Sequence, residues 1–343
     1  MQHRVFFWFT LPTLTAMVLF IALPIVSVFV QSLHIDHERV IVISESCGPF
    51  GCTQTTSVDT EAYKKLREEK PLGRYNGLAT YTNRSHLAFK EIGIAWSSTK
   101  NWSQFFSKAL NLPFYKALAF TLTYTLVVTP FVLVLGLAIA VGVNNLSNRI
   151  KGPTIFVSLL PMMVTPLVGS LILFWMVDGD GIIGATLQLL FDDSSLSLKA
   201  SPTLTWMMLI VYGIWHILPF SFIVFYAGLQ TVPSETLEAA MIDGASKWQR
   251  VIYVIVPHLM PLVVFVTLIL LMDNFRVFEP IVGFSAEAHA QSLSWIIFKD
   301  LRESANPLYG SAGATSMMTI IGVAILLTPV LIRTKRDFKQ RSV

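Results

Sequence analysis

The sequence predicts an all-α integral membrane protein with six transmembrane helices and a small external subdomain between the first two. Three observations carry this reading. Hydrophobic residues make up 53% of the 343 and charged residues only 13%, whereas soluble domains carry about 25% charged. The mean hydropathy is +0.61. Six apolar stretches, 7–32, 116–143, 154–177, 205–228, 258–282 and 313–332, reach the ~20 residues that a helix needs to cross the hydrocarbon core.

The first stretch is too long for a signal-peptide core and lacks a convincing cleavage site, so residues 1–32 are expected to be a retained anchor helix. Residues 33–115 follow as an external segment of mixed charge, with alternating apolar positions at 40–43. Within it Cys47 and Cys52 bracket Gly-Pro-Phe-Gly, a turn-forming sequence that brings its ends together. A disulfide and two free thiols are both compatible with that spacing, and an oxidising exterior favours the disulfide. Trp96 and Trp102 suit a membrane interface better than a partner contact.

The remaining spans form the core, 116–333, followed by a basic tail at 334–343. Gly136, Ala138, Ala140 and Gly142 give the second span small residues that let helices approach closely. Pro161 and Pro166 are expected to interrupt the third span and Pro219 the fourth, either beside a cavity or as plain kinks. His216 reads as a satisfied interhelical polar group. The fifth span holds Asp273, Asn274, Arg276 and Glu279. Charge inside a bilayer is expensive and marks a functional hypothesis, here a polar translocation path. The i, i+3, i+6 spacing lets Arg276 pair with a carboxylate on either side, and a self-compensated network between helices is the alternative. In the sixth span Ser311, Gly313, Ala314, Thr315 and Ser316 suit close packing or a pore wall.

Short loops fix the expected orientation. Arg4, Arg149, Lys151, Lys247 and Arg250 lie on one side with Arg333, Lys335, Arg336, Lys339 and Arg341; the other side carries Lys199, Lys299 and Arg302. Both termini and residues 229–257 are therefore expected in the cytoplasm. That central segment is polar and carries helix punctuation: Ser234 as a cap before Glu235, an apolar face of Leu237, Ala240 and Met241, a stop at Gly244, and a second start at Ser246. Two short helices joined at a glycine outside the membrane make a docking handle.

No phosphate-cradling loop, HExxH helix or Cys/His metal spacing is present, and Ser, His and Asp form no set whose proximity the sequence implies. No catalytic or metal role is expected, and a formal charge of +4 is too small to argue for nucleic acid. A polar path without a nucleotide site points to transport powered by a partner.

Glu238-Ala239-Ala240, Asp243-Gly244 and Val254-Ile255-Val256-Pro257 resemble the EAA signature of ABC importer permeases, and the segment as a whole is similar to the carbohydrate-type branch, related to the maltose and glycerol-phosphate permeases. Asn111–Pro113, Leu160-Pro161, Trp175 and the turn at 181–184 extend the resemblance over most of the chain. It implies a type I importer permease fold in a bacterial inner membrane. Glu238, Ala239, Ala240, Asp243, Gly244 and Pro257 would couple to an ATPase dimer, which would bind ATP and magnesium while this chain binds no cofactor. A second permease subunit and an extracytoplasmic solute-binding protein would complete the assembly. The fifth span departs from many relatives in ending Glu279-Pro280-Ile281-Val282-Gly283. The expected function is import of a sugar, polyol or glycoside; alternatives are a solute such as glycerol phosphate, a secondary carrier, or a membrane receptor.

Overall fold

The computed structural model describes residues 2–37, 41–48, 51–99, 101–192, 197–302 and 308–341. Helix α1 (Phe6–Ser32) is exposed over most of its length, the state expected of a span whose solvent is lipid. A π-helical turn, Val18–Ala22, lies inside it. Strands β1 (His34–Ile35), β2 (Ile41–Gly48), β3 (Gly51–Val58) and β4 (Arg74–Tyr75) follow, with α2 (Thr60–Glu69) between the last two. Then come α3 (Ala79–Thr82), α4 (Phe89–Ser97), α5 (Trp102–Leu110) and the long α6 (Pro113–Asn144). The third crossing is a bent pair, α7 (Asn148–Met163) and α8 (Pro166–Met176), which meet at 92°. Helices α9 (Ile182–Phe191), α10 (Pro202–Leu229), α11 (Ser234–Ile242) and α12 (Lys247–Phe275) follow, then α13 (Glu279–Gly283), α14 (Leu293–Arg302) and α15 (Tyr309–Arg341). With the bent pair taken as one, six apolar crossings run through the described residues.

Two compact units divide the chain: Met1–Lys116 with Ile296–Ile320, and Ala117–Trp295 with Ile321–Val343. In the first unit β1 pairs antiparallel with β4, and β2 with β3. The β2–β3 register sets Cys47 opposite Cys52 and Gly48 opposite Gly51, so the ends flanking residues 49–50 are brought together as expected. The expected disulfide lies outside the described residues, because the two cysteine side chains are not among them. Asp59 caps α2 by accepting from the N–H groups of Glu61 and Ala62 at 3.1 and 2.9 Å.

The 76–88 segment ties the unit together with side chains. Tyr81 Oη meets Ser32 Oγ at 2.6 Å, and Tyr115 Oη donates to the Leu87 carbonyl at 2.9 Å. His86 is fully buried between Asn83 Oδ1 (2.8 Å) and the Ser311 carbonyl (3.2 Å), while Ser311 Oγ donates to Asp300 at 2.7 Å. Burial holds His86 below the ordinary histidine range. Gly313, expected at a close helix contact, lies against the backbone of Val28 and Ser32.

The second unit has its core on α6 and α10, with Phe120, Val128, Leu209, Phe222 and Phe225 all buried. Two expectations are corrected there. Pro219 does not interrupt the fourth span: it is buried within a continuous α10, whose last turns remain helical through Leu229. The fifth span does not run to residue 282; α12 ends at Phe275 and α13 begins anew at Glu279. Arg276 already leaves helical geometry and Phe278 stands as the α13 cap with φ −144°. Pro280 in the first turn of α13 suits a helix start, where a missing N–H costs nothing.

The small-residue face of α6 is used at one end only. A Cβ on Gly136 would fall onto the Ser221 side chain and approach the Phe222 amide, whereas one on Gly142 would meet nothing within 4 Å. Gly136→Ala should therefore lower thermal stability of the purified protein through overpacking, by about 1–3 kcal/mol. Gly142→Ala should leave it equal or slightly raised, because alanine is the better helix former. Equal melting temperatures for the two variants would refute this packing assignment.

Candidate functional site

Two spans of the second unit break inside the membrane protein, and both breaks border one cavity. The α7–α8 break passes through Val164 and Thr165, and the α12–α13 break through 276–278. The cavity measures about 380 Å³, and its lining includes Pro166 after the first break and Asp273, Asn274, Arg276, Val277, Glu279 and Pro280 around the second. Irregular backbone at membrane depth persists only where protein or a cavity supplies its hydrogen-bond partners. At Pro166, expected to be either a cavity feature or a plain kink, the cavity reading holds.

Side chains bond to backbone groups at and beside the breaks. Tyr212 Oη donates to the Pro166 carbonyl at 2.9 Å. Ser170 Oγ lies 2.9 Å from the Leu167 carbonyl and 3.4 Å from that of Glu279, linking α8 to α13. Ser292 Oγ, fully buried, donates to the Val277 carbonyl at 2.6 Å, and Thr121 Oγ1 accepts from the Leu293 amide at 3.2 Å. Gly213 leaves room for the Tyr124 hydroxyl, which a Cβ would strike.

The four polar residues expected along a path through the fifth span separate into two groups. Asn274 is 1% exposed, with Nδ2 donating to Thr129 Oγ1 at 3.1 Å and Oδ1 without a partner. Asp273, Arg276 and Glu279 are exposed. Arg276 pairs with Asp273 at 2.8 Å, both side chains being more than half exposed. The continuous i, i+3, i+6 helical ladder is thus corrected: the helix ends before Arg276, and Glu279 belongs to α13.

His216 hydrogen-bonds the Pro161 backbone on α7, the interhelical partner expected of it, while its Nδ1 is buried without a partner. The ring stacks on Tyr212 at 5.7 Å and 12° along the cavity wall. Sequence reasoning missed Tyr124 and Tyr212 altogether. The available signal was the i, i+4 spacing of Tyr212 and His216, which puts two ring systems on one face of an otherwise apolar helix. The cavity is therefore lined by an asparagine and a histidine that each hold one buried, unpaired polar atom, by two tyrosines, and by the Asp273–Arg276 ion pair.

The second segment singled out by the sequence is 229–257. Helix α11 ends in a Schellman turn: the Ala245 amide donates to the Ala240 carbonyl (2.9 Å) and the Gly244 amide to that of Met241 (3.1 Å). Gly244 has φ +77°, as this turn requires. Ser246 and Gln249 form a reciprocal capping box at the start of α12. Ser234 does not cap α11, as expected; Pro233 holds that position and Ser234 is the first helical residue. Nor is the second helix short, since α12 runs 29 residues from Lys247 to Phe275 with a π turn at Val251–Ile255. Pro257 sits in its interior just past that turn.

Glu238, Ala239, Asp243 and Gly244 are exposed, and Ala240 is half-buried. Ile242, Trp248 and Tyr253 are 87%, 77% and 74% exposed, an apolar surface on an otherwise polar segment. At its base Thr231 Oγ1 meets His258 Nε2 at 3.1 Å, and Gln230 Nε2 donates to Asn144 Oδ1 at 3.1 Å.

Comparison with known proteins supplies the family. Residues 113–332 match the binding-protein-dependent transport system inner membrane component family. The probable ABC transporter permease protein YesP of Bacillus subtilis is 30% identical over 247 residues, 70% of this chain and 77% of YesP. The multiple sugar-binding transport system permease protein MsmF of Streptococcus mutans is 31% identical, over 62% of this chain and 74% of its own length. Among solved structures, a bacterial alginate ABC transporter in complex with an alginate pentasaccharide-bound periplasmic protein aligns with TM-score 0.59 at 17% identity, over 73% of this chain and 88% of that one. That likeness speaks to the fold, which is the type I permease fold. The family match covers every crossing from α6 to α15, and the chain belongs to the binding-protein-dependent transport system inner membrane components, the permease subunits of ABC transporters.

Proposed function

We propose that this chain forms half of the translocation path of an ATP-driven importer for a sugar, polyol or glycoside. The observation that carries the solute class is the cavity at the two helix breaks. Asn274 and His216 line it, each with one buried atom, Oδ1 and Nδ1, left unpaired, beside Tyr124 and Tyr212. Hydroxyl groups satisfy such atoms without bringing charge, and the sugar ring lies against aromatic faces. An anionic solute such as glycerol phosphate fits less well, because the cavity's arginine is already held by Asp273. Family membership and the sugar-transport name of one relative support the same class.

In this reading both termini and the 229–257 segment face the cytoplasm, where Glu238, Ala239, Ala240, Asp243 and Gly244 dock on an ATPase dimer that carries ATP and magnesium. A second permease subunit completes the path and an extracytoplasmic solute-binding protein loads it. The exposed Ile242 and Trp248 gain a partner on docking. Thr231 and His258 close the base of the segment, so a push on α11 is passed to α10 and α12 as one piece. Pro257, one residue before His258, keeps its ring on the exposed face of α12.

Two predictions test the coupling and the path. Gly244→Val places a β-branched residue at φ +77°, at a cost of about 1–2 kcal/mol in the turn. Solute uptake into proteoliposomes should fall while ATP hydrolysis by the assembled complex persists. Glu238→Ala should behave alike, and Gly244→Asn, which tolerates that backbone, should retain uptake. Normal uptake by the valine variant would remove the docking role.

Asn274→Leu and Arg276→Gln should raise the solute concentration for half-maximal uptake or alter the range of solutes carried. The expected loss is about 0.5–1.5 kcal/mol per hydrogen bond removed. If either variant lowers only the amount of folded protein in the membrane, its residue is structural and leaves the path.

A further inference from the structure

We propose that α4 and α5 form an aromatic anchor lying in the membrane–water interface, with Trp96, Trp102 and Phe106 at the boundary between lipid headgroups and acyl chains. Helix α5 divides cleanly into two faces. Trp102, Phe105, Phe106, Ala109 and Leu110 recur at i, i+3, i+4, i+7 and i+8, and Ser103, Gln104, Ser107 and Lys108 take the other positions. Part of the apolar face is used within the unit: Ala109 is buried and Phe105 half-buried against Trp96 at 5.4 Å. The rest has nothing over it. Trp102, Phe106 and Leu110 are 66%, 55% and 45% exposed, and Trp96 on α4 is 58% exposed.

These rings are held in place. Trp96 and Trp102 meet edge to face at 5.3 Å, and Trp102 stacks with Phe106 at 6.2 Å and 30°. Lys108 Nζ donates to Ser98 Oγ at 3.0 Å, which keeps the one cation of α5 on its polar side. Between the two helices Trp96, Thr99, Asn101, Trp102 and Phe105 line a cleft of about 340 Å³. Aromatic and polar side chains side by side are what a headgroup boundary accommodates.

Continuity with the bilayer argues for lipid as the occupant. Leu110, the last residue of α5, is separated only by Asn111 and Leu112 from Pro113, where the 32-residue apolar α6 begins. The joint is tight: Leu112 is buried and its carbonyl accepts from the Lys116 amide at 2.9 Å. Nine residues of helix extend only ~14 Å, so all of α5 stays near the level at which α6 enters the membrane. Tryptophan is the residue type that this layer favours, and short helices with Trp, Phe and Leu on one face settle there.

The test uses the full chain in phosphatidylcholine vesicles whose acyl chains carry bromine close to the headgroup. Bromine quenches nearby tryptophan, so the wild-type protein should lose more fluorescence than Trp96→Phe/Trp102→Phe, and aqueous iodide should quench both proteins equally. As a check that leaves the tryptophans in place, Phe106→Cys in a Cys47→Ser/Cys52→Ser background is labelled with a nitroxide. Its relaxation should respond more to oxygen than to a water-soluble nickel chelate. A double variant quenched by bromolipid as strongly as wild type, or a nitroxide at 106 favouring the nickel chelate, would overturn the anchor and leave the face as a surface for a soluble partner.

Discussion

A carbonyl freed from its helix in a bilayer has no water to turn to, and that single constraint organises the second unit. Every break in a span must be met by side chains from a neighbour. Ser292 takes the carbonyl of Val277 inside the α12–α13 break, while Tyr212 and Ser170 add bonds to the carbonyls of Pro166 and Glu279, the first residues of α8 and α13. Once those groups are committed, the two broken spans are held beside each other, and the space left between their ends is the cavity. The polar atoms that remain unpaired there, on Asn274 and His216, are those that no helix break consumed. The same bonds that make the irregular backbone affordable therefore also decide what the cavity can offer a solute.

Much of this was legible in the chain. Six crossings follow from apolar length alone, and Pro166 was recognisable as a break because a proline opening a second apolar run starts a helix more readily than it continues one. The 229–257 segment was legible for a similar reason: Gly244, Ser246 and Gln249 act through local backbone chemistry that tertiary packing does not override. The fifth span was misjudged because apolar residues resume after the break at Pro280–Val282, and hydropathy cannot see where hydrogen bonding changes partner. Ser234 failed as a cap because Pro233 already supplies the extended backbone that a cap requires. Tyr124 and Tyr212 escaped because an aromatic on an apolar helix reads as packing until its neighbours across the bundle are known.

The two units use polar side chains for opposite ends. In the first, Tyr81, His86 and Tyr115 spend their hydrogen bonds on backbone and on Ser32 and Ser311, so short pieces with little apolar core of their own are fixed to the helices they adjoin. In the second, polar groups are spaced along α6, α10 and α12, and five buried side-chain atoms among the described residues, on Thr205, His216, Ser221, Arg250 and Asn274, have no partner. Two of the five, on His216 and Asn274, belong to residues that line the cavity at the helix breaks.

The π turn at Val251–Ile255 separates the exposed Lys247–Arg250 turn, which carries the docking surface in the proposed function, from the apolar portion of the same helix. A π turn carries one residue more than an α turn, and each residue advances a helix by about 100°. The surface bearing Trp248 and the surface bearing Leu259, Val266 and Leu270 are thus phased independently, although one continuous helix joins them. A lineage could gain or lose a single residue at this turn and re-aim the docking surface while every contact of the bundle stayed in register. Insertions elsewhere along the span would scramble one surface or the other, so length variation in this helix has one place where it is harmless.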